Sequence, residues 1–145
     1  MGGDRAPELV VEGAILAARE YGVAIIFVGQ PESIEQELKK YGSRKVYGNL
    51  SDLKYDIVPA SQVIEMGEHP VEALRKKRDS SISVATRLIK SGEAEAVVSA
   101  GSTGAAMAAA KIILGPLKGI KRPAIATIIP NHNGNVTVVI DAGAN

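Results

Sequence analysis

The stretch Ser99-Ala100-Gly101-Ser102-Thr103-Gly104 decides the fold of this chain, and the sequence on either side of it shows why. Before it, the apolar run at residues 96–98 predicts a short buried β-strand. After it, residues 105–114 are mostly alanine with a few larger apolar side chains, which predicts a helix that packs closely on its sheet. A strand, a glycine-containing turn and a helix start are therefore expected to follow one another directly.

The same stretch has the residues of an anion-binding loop. A helix start presents free backbone N–H groups, and the helix dipole adds partial positive charge to them. Gly101 and Gly104 lack a Cβ atom and allow a ligand to approach the backbone, while Ser102 and Thr103 supply hydroxyl donors. The sequence predicts that phosphate or a similar anion binds here. The alternative is an ordinary tight turn with a serine or threonine helix cap.

Strand and helix patterns alternate along the chain. Apolar runs predict buried strands at residues 24–28, 96–98 and 124–129. Further strands are expected at residues 56–58 and 136–140, the latter forming a hairpin with 124–129. Helical spacing predicts helices that begin near residues 7, 30, 71, 82 and 105, the first of which is expected to end at Gly22. Residues 131–135 are expected to form a turn. This alternation is typical of an α/β fold with a mainly parallel sheet, in which ligands collect at the carboxyl ends of the strands. The stretch at residues 99–104 is expected at that edge, together with Gly29 and residues 141–145.

Composition narrows the classes of protein that fit. The 145 residues suit one domain, and 46% of them are hydrophobic but only 3% aromatic, so the core is expected to be aliphatic. A net charge of +1 gives no basis for nucleic-acid binding. The chain has no cysteine, which excludes disulfides and thiolate metal sites and suits the cytoplasm. No run approaches the roughly 20 apolar residues of a membrane span.

Five blocks in order along the chain resemble the bacterial phosphate acyltransferase family PlsX. They are Met1-Gly2-Gly3-Asp4-Arg5-Ala6-Pro7, the run from Pro70 to Ser81, Ser99-Ala100-Gly101-Ser102-Thr103-Gly104-Ala105, Gly119-Ile120-Lys121-Arg122-Pro123-Ala124, and Asp141-Ala142-Gly143-Ala144-Asn145. The resemblance implies a three-layer α/β/α fold like that of isocitrate and isopropylmalate dehydrogenases and of phosphotransacetylase. It also implies that residues 1–145 are a partial, truncated domain, the N-terminal half of the family's chain without its first strand.

The resemblance further implies an enzyme that moves a long-chain acyl group from acyl carrier protein to inorganic phosphate, giving acyl phosphate for phospholipid synthesis. Family members act as cytoplasmic homodimers that associate peripherally with the membrane, and they need no metal or other cofactor. In the family, the second half of the chain completes the cleft, the dimer contact and the membrane-facing helices. Two other functions remain open from the residues: a non-catalytic phosphate- or nucleotide-binding domain, and a phosphotransacetylase-like enzyme that uses acyl-coenzyme A.

On this resemblance, Lys77 and Ser102 are the expected catalytic residues, although the family usually has asparagine where Ser102 stands. Phosphate or substrate binding is expected from the residues Asp4, Arg75, Asp79, Ser80, Ser81, Gly101, Thr103, Gly104, Arg122, Asp141 and Asn145. For many of these an ordinary structural role is the alternative. Residues 75–78 also suit a solvated helix end and residues 79–81 a helix cap, while Asp4 and Arg122 also suit exposed loops. His69 is a candidate general acid for the departing thiolate.

Overall fold

The computed structural model describes residues 2–44, 48–121 and 123–141. Within these ranges the chain forms five α-helices and four strands. In chain order they are α1 Glu8–Tyr21, β1 Ile25–Gly29, α2 Pro31–Gly42, β2 Tyr55–Pro59, α3 Pro70–Lys76, α4 Ser81–Ser91, α5 Thr103–Ala109, β3 Ala126–Pro130 and β4 Val136–Ile140. A 3₁₀ turn at Leu50–Asp52 and a π-helical turn at Ala110–Leu114 complete the regular structure. The predicted α/β class is confirmed, whereas the three-layer arrangement stays a prediction.

The first half of the chain is built on a parallel pair of strands. Strands β1 and β2 are in register from the pair Ile25 and Tyr55 to the pair Gly29 and Pro59. Helix α1 ends at Gly22, as predicted, because this glycine adopts a left-handed conformation with φ of 66°. Helices α1 and α2 cover the strands and form an aliphatic and aromatic core from Val11, Ile15, Phe27, Ile34, Leu38 and Tyr41.

The second half of the chain packs three helices around a core of small residues. The side chains of α5 that face α3 are alanines, and Ala109 is completely buried. With no larger side chain between them, the two helices approach closely. The buried core here consists of Ile64, Ala73, Leu74, Ala105, Ala108 and Ala109. Helix α4 contacts α5 and also β1, so it connects this core to the first.

Strands β3 and β4 form the predicted antiparallel hairpin, in register from the pair Ala126 and Ile140 to the pair Pro130 and Val136. The side-chain oxygen of Asn131 accepts hydrogen bonds from backbone N–H groups within the turn and closes it. Every residue of β3 is exposed, however, so the expectation that this strand is buried was wrong. Burial of a strand requires a layer packed on it, and the described residues supply none on this hairpin.

Two further expectations around the central stretch need correction. Residues 96–98 pair with no strand among the described residues, and Val98 is 94% exposed, so the predicted buried strand is wrong. An apolar run forms a strand only where a neighbouring strand accepts its hydrogen bonds. The predicted helix at residues 105–114 begins two residues earlier and changes to a π-helical turn. There the Gly115 N–H bonds to the Ala110 carbonyl at 3.2 Å, and Gly115 ends the turn with φ of 83°.

Candidate functional site

Helices α4 and α5 begin beside one another and enclose a small space that we call the serine cavity. Its polar lining comes from Ser81 at the start of α4, Ser102 directly before α5, and Ser99 and Gly101 in the preceding loop. The remaining lining residues are apolar: Ile64, Ile82 and Ala105. The cavity has a volume of about 10 Å³. This is close to the space that one water molecule needs, so it admits a single oxygen atom of a larger anion.

The hydrogen bonds at the serine cavity leave donors available. The Ser102 Oγ atom accepts from the Ala105 N–H at 3.3 Å, which makes it the cap of α5, and the Ser99 Oγ atom accepts from the Gly101 N–H at 3.3 Å. A hydroxyl that accepts in this way keeps its own proton for donation. The Ser81 N–H in the first turn of α4 already donates to the Gln62 carbonyl at 3.2 Å, and the Ala105 N–H of α5 donates to Ser102. The other first-turn N–H groups have no partner inside their helices, and both dipoles point their positive ends here. The cavity therefore favours negative charge.

Two glycines allow the surrounding segments to approach one another. A Cβ atom built on Gly104 would stand 2.9 Å from the Pro70 Cγ atom, and one built on Gly3 would stand 2.7 Å from the Ala100 carbonyl oxygen. The N-terminal segment and the start of α3 therefore lie against the loop that carries Ser99 and Ser102. Glycine is needed at both positions because any side chain would push these segments apart.

A second and larger space, which we call the arginine cavity, lies between α3, α4 and the π-helical turn. It has a volume of about 280 Å³. One part of its lining is cationic, from Arg75, Arg78 and Arg87, and another part is apolar. The lining residues are Leu74, Arg75, Arg78, Ser83, Arg87, Ala109, Ile112 and Ile113.

The structure does not bring Arg75 and Ser102 into one cavity. Arg75 lines the arginine cavity, whereas Ser102 lines the serine cavity at the other end of α5. Ala109, in the arginine cavity, follows Ser102 by seven residues, which corresponds to about 10 Å along a helix. The spacing in the sequence could not show which end of α5 the last turn of α3 meets.

Lys77 and Asp79 are held by structural contacts outside the linings of both cavities. The Lys77 ammonium donates to the Glu68 carboxylate at 2.6 Å and to the Val63 carbonyl at 2.7 Å. The hydrogen bond from Lys77 lowers the pKa of Glu68. The Asp79 carboxylate accepts from the Ser61 hydroxyl at 2.6 Å and from its N–H at 2.8 Å, and these bonds lower the pKa of Asp79. These contacts connect residues 61–68, before α3, to residues 77–79, between α3 and α4.

The other predicted site residues lie in varied surroundings. Ser80 is fully buried, and its hydroxyl lies 2.8 Å from that of Ser83 rather than capping α4. Asp4 and Thr103 are exposed, and His69 is exposed at the start of α3. The backbone N–H of Asp141 donates to the Ile125 carbonyl at 2.7 Å. Arg122 and Asn145 lie outside the described residues.

Sequence reasoning missed several residues of the two cavities. Ser99 belongs to the stretch that was singled out, and Arg78 belongs to the basic run at residues 75–78, but neither was assigned to a site. Ser83 and Arg87 are four positions apart on α4, the spacing that places two side chains on one helix face. That signal was present in the sequence. Their meeting with α3 and the π-helical turn depends on tertiary packing.

Among the described residues, no helix combines the length and the apolar character that crossing a bilayer requires. No group of three or more His, Asp or Glu side chains is arranged to hold a metal ion in residues 2–44, 48–121 and 123–141.

Comparison with known proteins now decides the family. The model of the family described as fatty acid synthesis protein matches residues 1–145. The chain belongs to the fatty acid synthesis protein family. Relatives in it are the phosphate acyltransferases of Pelotomaculum thermopropionicum and Heliobacterium modesticaldum, both 54% identical, and of Geobacter sulfurreducens, 51% identical. Each match covers the whole chain but only 40–41% of the relative. The resemblance seen in the sequence is therefore confirmed for this segment.

Proposed function

We propose that the full-length protein containing this chain is a phosphate acyltransferase. It transfers a long-chain acyl group from acyl carrier protein to inorganic phosphate and so produces acyl phosphate for phospholipid synthesis. The names of the relatives support the acyl transfer, and the family description supports a place in lipid synthesis. The observation that carries the proposal is the meeting of two helix N-termini and the Ser81 and Ser102 hydroxyls at one small cavity.

The reaction needs no nucleophile from the protein. A phosphate oxygen attacks the thioester carbonyl carbon, a C–O bond forms, and the C–S bond breaks. The proton of hydrogen phosphate goes to the departing thiolate, so the products are acyl phosphate and the free thiol of the carrier. The protein has to hold phosphate in line with the carbonyl and exclude water. Fixed donors achieve this better than water because they need no reorientation as the reaction proceeds.

In this proposal the serine cavity holds one phosphate oxygen. Ser81 and Ser102 donate from their hydroxyls, the first turns of α4 and α5 donate from their N–H groups, and Thr103 lies exposed at the start of α5. We assign phosphate binding to these groups and not to Lys77, because Glu68 and Val63 already engage the Lys77 ammonium.

The remaining features of the proposal concern the full-length protein. We propose that it takes acyl carrier protein as its partner, forms a homodimer, and works in the cytoplasm in peripheral contact with the membrane. We also propose that residues 1–145 form part of a three-layer α/β/α domain like that of isocitrate and isopropylmalate dehydrogenases. The resemblance of the five sequence blocks to the phosphate acyltransferases supports both statements.

The test uses a full-length chimera, in which these 145 residues replace the aligned residues of the P. thermopropionicum phosphate acyltransferase. The chimera is incubated with long-chain acyl-carrier protein, and free carrier is measured with and without phosphate. We expect release that depends on phosphate and is accompanied by acyl phosphate. Acetyl-coenzyme A as a better donor would favour a phosphotransacetylase-like enzyme. Phosphate binding without turnover would favour a non-catalytic binding domain.

Two variants connect the activity to the serine cavity. Ser81→Ala removes one hydroxyl from the lining, and we expect the phosphate-dependent rate to fall about tenfold, as for the loss of a hydrogen bond to a charged group. Ser33→Ala is the matched control, because Ser33 lies in the first turn of α2 and lines neither cavity. Equal rates for both variants would contradict the placement of phosphate in the serine cavity.

A further inference from the structure

The start of α4 is held from outside the helix, by the residues that follow β2. Gln62 pairs with Ser80 in an isolated parallel β-bridge. The Gln62 N–H donates to the Asp79 carbonyl at 3.1 Å, and the Ser81 N–H donates to the Gln62 carbonyl at 3.2 Å. The Gln62 side-chain oxygen accepts from the Asp79 N–H at 3.0 Å. The position of Ser81 therefore depends on how the chain after β2 meets residues 79–81.

The Asp79 carboxylate strengthens this contact with two short hydrogen bonds. Its Oδ2 atom accepts from the Ser61 hydroxyl at 2.6 Å and from the Ser61 N–H at 2.8 Å. Such distances are typical of hydrogen bonds to a charged acceptor, which are roughly twice as strong as neutral ones. Because both bonds end on the same oxygen atom, the oxygen of a side-chain amide in that place can accept them as well.

The start of α4 has no side-chain cap of its own. Ser80 occupies the N-cap position, but its buried hydroxyl lies 2.8 Å from the Ser83 hydroxyl and makes no capping bond. A helix start without a cap is less stable, because its first N–H groups lack partners within the helix. The bonds to the chain after β2 supply the missing restraint. They act on the turn that contains Ser81, which lines the serine cavity and is only 8% exposed.

The Asp79 side chain is poorly suited to bind phosphate directly. A carboxylate repels phosphate because both are anions. Asp79 also lines neither the serine cavity nor the arginine cavity. Its hydrogen bonds to Ser61 point instead to an indirect role, in which it acts on the geometry of the phosphate site.

We propose that Asp79 is a positioning residue for the transfer reaction: by binding Ser61 it fixes the start of α4 and so keeps the Ser81 hydroxyl in the serine cavity. This inference rests on the function proposed above and adds a residue that acts through Ser81 without touching phosphate. What the role requires of residue 79 is an acceptor oxygen and not a charge. Removing the acceptor weakens phosphate binding, whereas exchanging the carboxylate for an amide preserves it.

The test measures phosphate binding and acyl transfer by the full-length chimera. Isothermal titration calorimetry gives Kd for inorganic phosphate, and steady-state kinetics give kcat and the KM values for phosphate and for acyl-carrier protein. For Asp79→Ala we expect Kd and KM for phosphate to rise about threefold to tenfold, the upper bound being the loss of the Ser81 hydroxyl itself. We expect kcat and KM for acyl-carrier protein to change less than about twofold. A variant that is merely less stable would instead lower kcat and leave KM for phosphate unchanged.

Rescue and double substitutions isolate the mechanism. Asp79→Asn keeps an acceptor for Ser61, so its Kd for phosphate is expected within about twofold of the parent value. Asp79→Ala added to Ser81→Ala is expected to weaken phosphate binding by less than about twofold, because the hydroxyl that Asp79 positions is then gone. Ser61→Ala removes only the shorter of the two bonds and is expected to raise Kd by a smaller factor than Asp79→Ala.

Asp52→Ala is the matched control. Asp52 is exposed, accepts a hydrogen bond from the hydroxyl of the neighbouring Ser51 at 3.4 Å, and lines neither cavity. Its substitution is expected to leave Kd for phosphate unchanged. Circular dichroism and thermal unfolding establish that each variant is folded.

Four results would overturn the inference. They are an Asp79→Ala protein that binds phosphate as the parent does, an Asp79→Asn protein as weak as Asp79→Ala, a loss just as large in the Ser81→Ala background, and an equal loss in Asp52→Ala. The second would mean that the charge of Asp79 is needed.

Failure of this inference and failure of the proposed function give different results. Acyl transfer that is insensitive to Asp79→Ala contradicts the positioning role alone. Phosphate binding that follows the expected pattern without any acyl transfer contradicts the proposed function and supports the positioning role. A chimera that neither binds phosphate nor transfers acyl groups contradicts both.

Discussion

Gly104, in the first turn of α5, lies directly against Pro70, the first residue of α3: a Cβ atom built on the glycine would stand 2.9 Å from the Pro70 Cγ atom. Ring atoms of proline cannot rotate away, so relief would require one helix to move. The contact fixes the start of α5 against α3, and Ser102 is two residues away. A packing requirement between two helices thus sets the position of the serine cavity.

Gly104→Ala is expected to destabilise the full-length chimera by about 1–3 kcal/mol through overpacking and to lower phosphate-dependent transfer by displacing Ser102. Gly13→Ala is the control, because a Cβ atom at Gly13, inside α1, meets nothing within 4 Å. Alanine there is expected to stabilise the protein by up to about 1 kcal/mol. Urea-induced unfolding measures both changes. A Gly104→Ala protein as stable as its parent would refute the tight contact.

Substitution of Ile15 tests the packing of the core that α1 and α2 form with the parallel strands. Ile15 is 1% exposed on the inner face of α1, and Ile15→Ala is expected to cost about 2–5 kcal/mol because the packed neighbours cannot fill the space. The adjacent Leu16 is 49% exposed, so Leu16→Ala is expected to have a much smaller effect. Urea titrations give the free energy of unfolding of each variant for the comparison. Similar losses would mean that α1 presents another face to the sheet.

The ion pair of Glu68 with Lys77 predicts a dependence of stability on pH. The hydrogen bond from Lys77 holds the pKa of Glu68 below its ordinary value of 4.5, so the unfolded chain takes up the proton first as the pH falls. The contact therefore stabilises the fold above pH 4.5 and loses its contribution as the pH falls through the lowered pKa. Both side chains are about one-third exposed, which limits the effect.

Glu68→Gln is accordingly expected to lower Tm at pH 7, with the difference from the parent shrinking below pH 4.5. Glu72→Gln serves for comparison, since the nearest lysine nitrogen stands 3.9 Å from its carboxylate, beyond hydrogen-bond distance. Thermal unfolding followed by circular dichroism from pH 3 to pH 8 provides the data. A Glu68→Gln difference that is constant over this range would show that the ion pair does not stabilise the fold.

Local signals in the sequence predicted much of the fold. Gly22 ends α1, two of the apolar runs form β1 and β2, and Asn131 closes the hairpin. These features could be predicted because each depends on residues close together in the chain. Burial of residues 96–98 and of β3 depends on neighbours far along the chain, and apolar composition alone could not supply them. The predicted boundaries of α5 were wrong for a different reason, since a π-helical turn has no strong sequence pattern.

The site was predicted in part. Ser102 caps α5 and shares a cavity with Ser81 and Gly101, all three of which were singled out from the sequence. Arg75 and Lys77 were expected at the same anion, but Arg75 lines the arginine cavity and Lys77 pairs with Glu68. The way in which α3 packs against α5 determines where Arg75 and Lys77 lie, and the sequence alone does not show this packing.

The most direct measurement of the central claim, that the serine cavity holds phosphate for acyl transfer, is kcat/KM for phosphate in Ser102 variants of the full-length chimera. Ser102→Gly keeps the helix start within a few tenths of a kcal/mol but removes the hydroxyl, and Ser102→Asn keeps both a cap and a donor. We predict a fall of roughly tenfold to a hundredfold for glycine and retention of most activity for asparagine. An unchanged kcat/KM for phosphate in the folded Ser102→Gly protein would contradict the account.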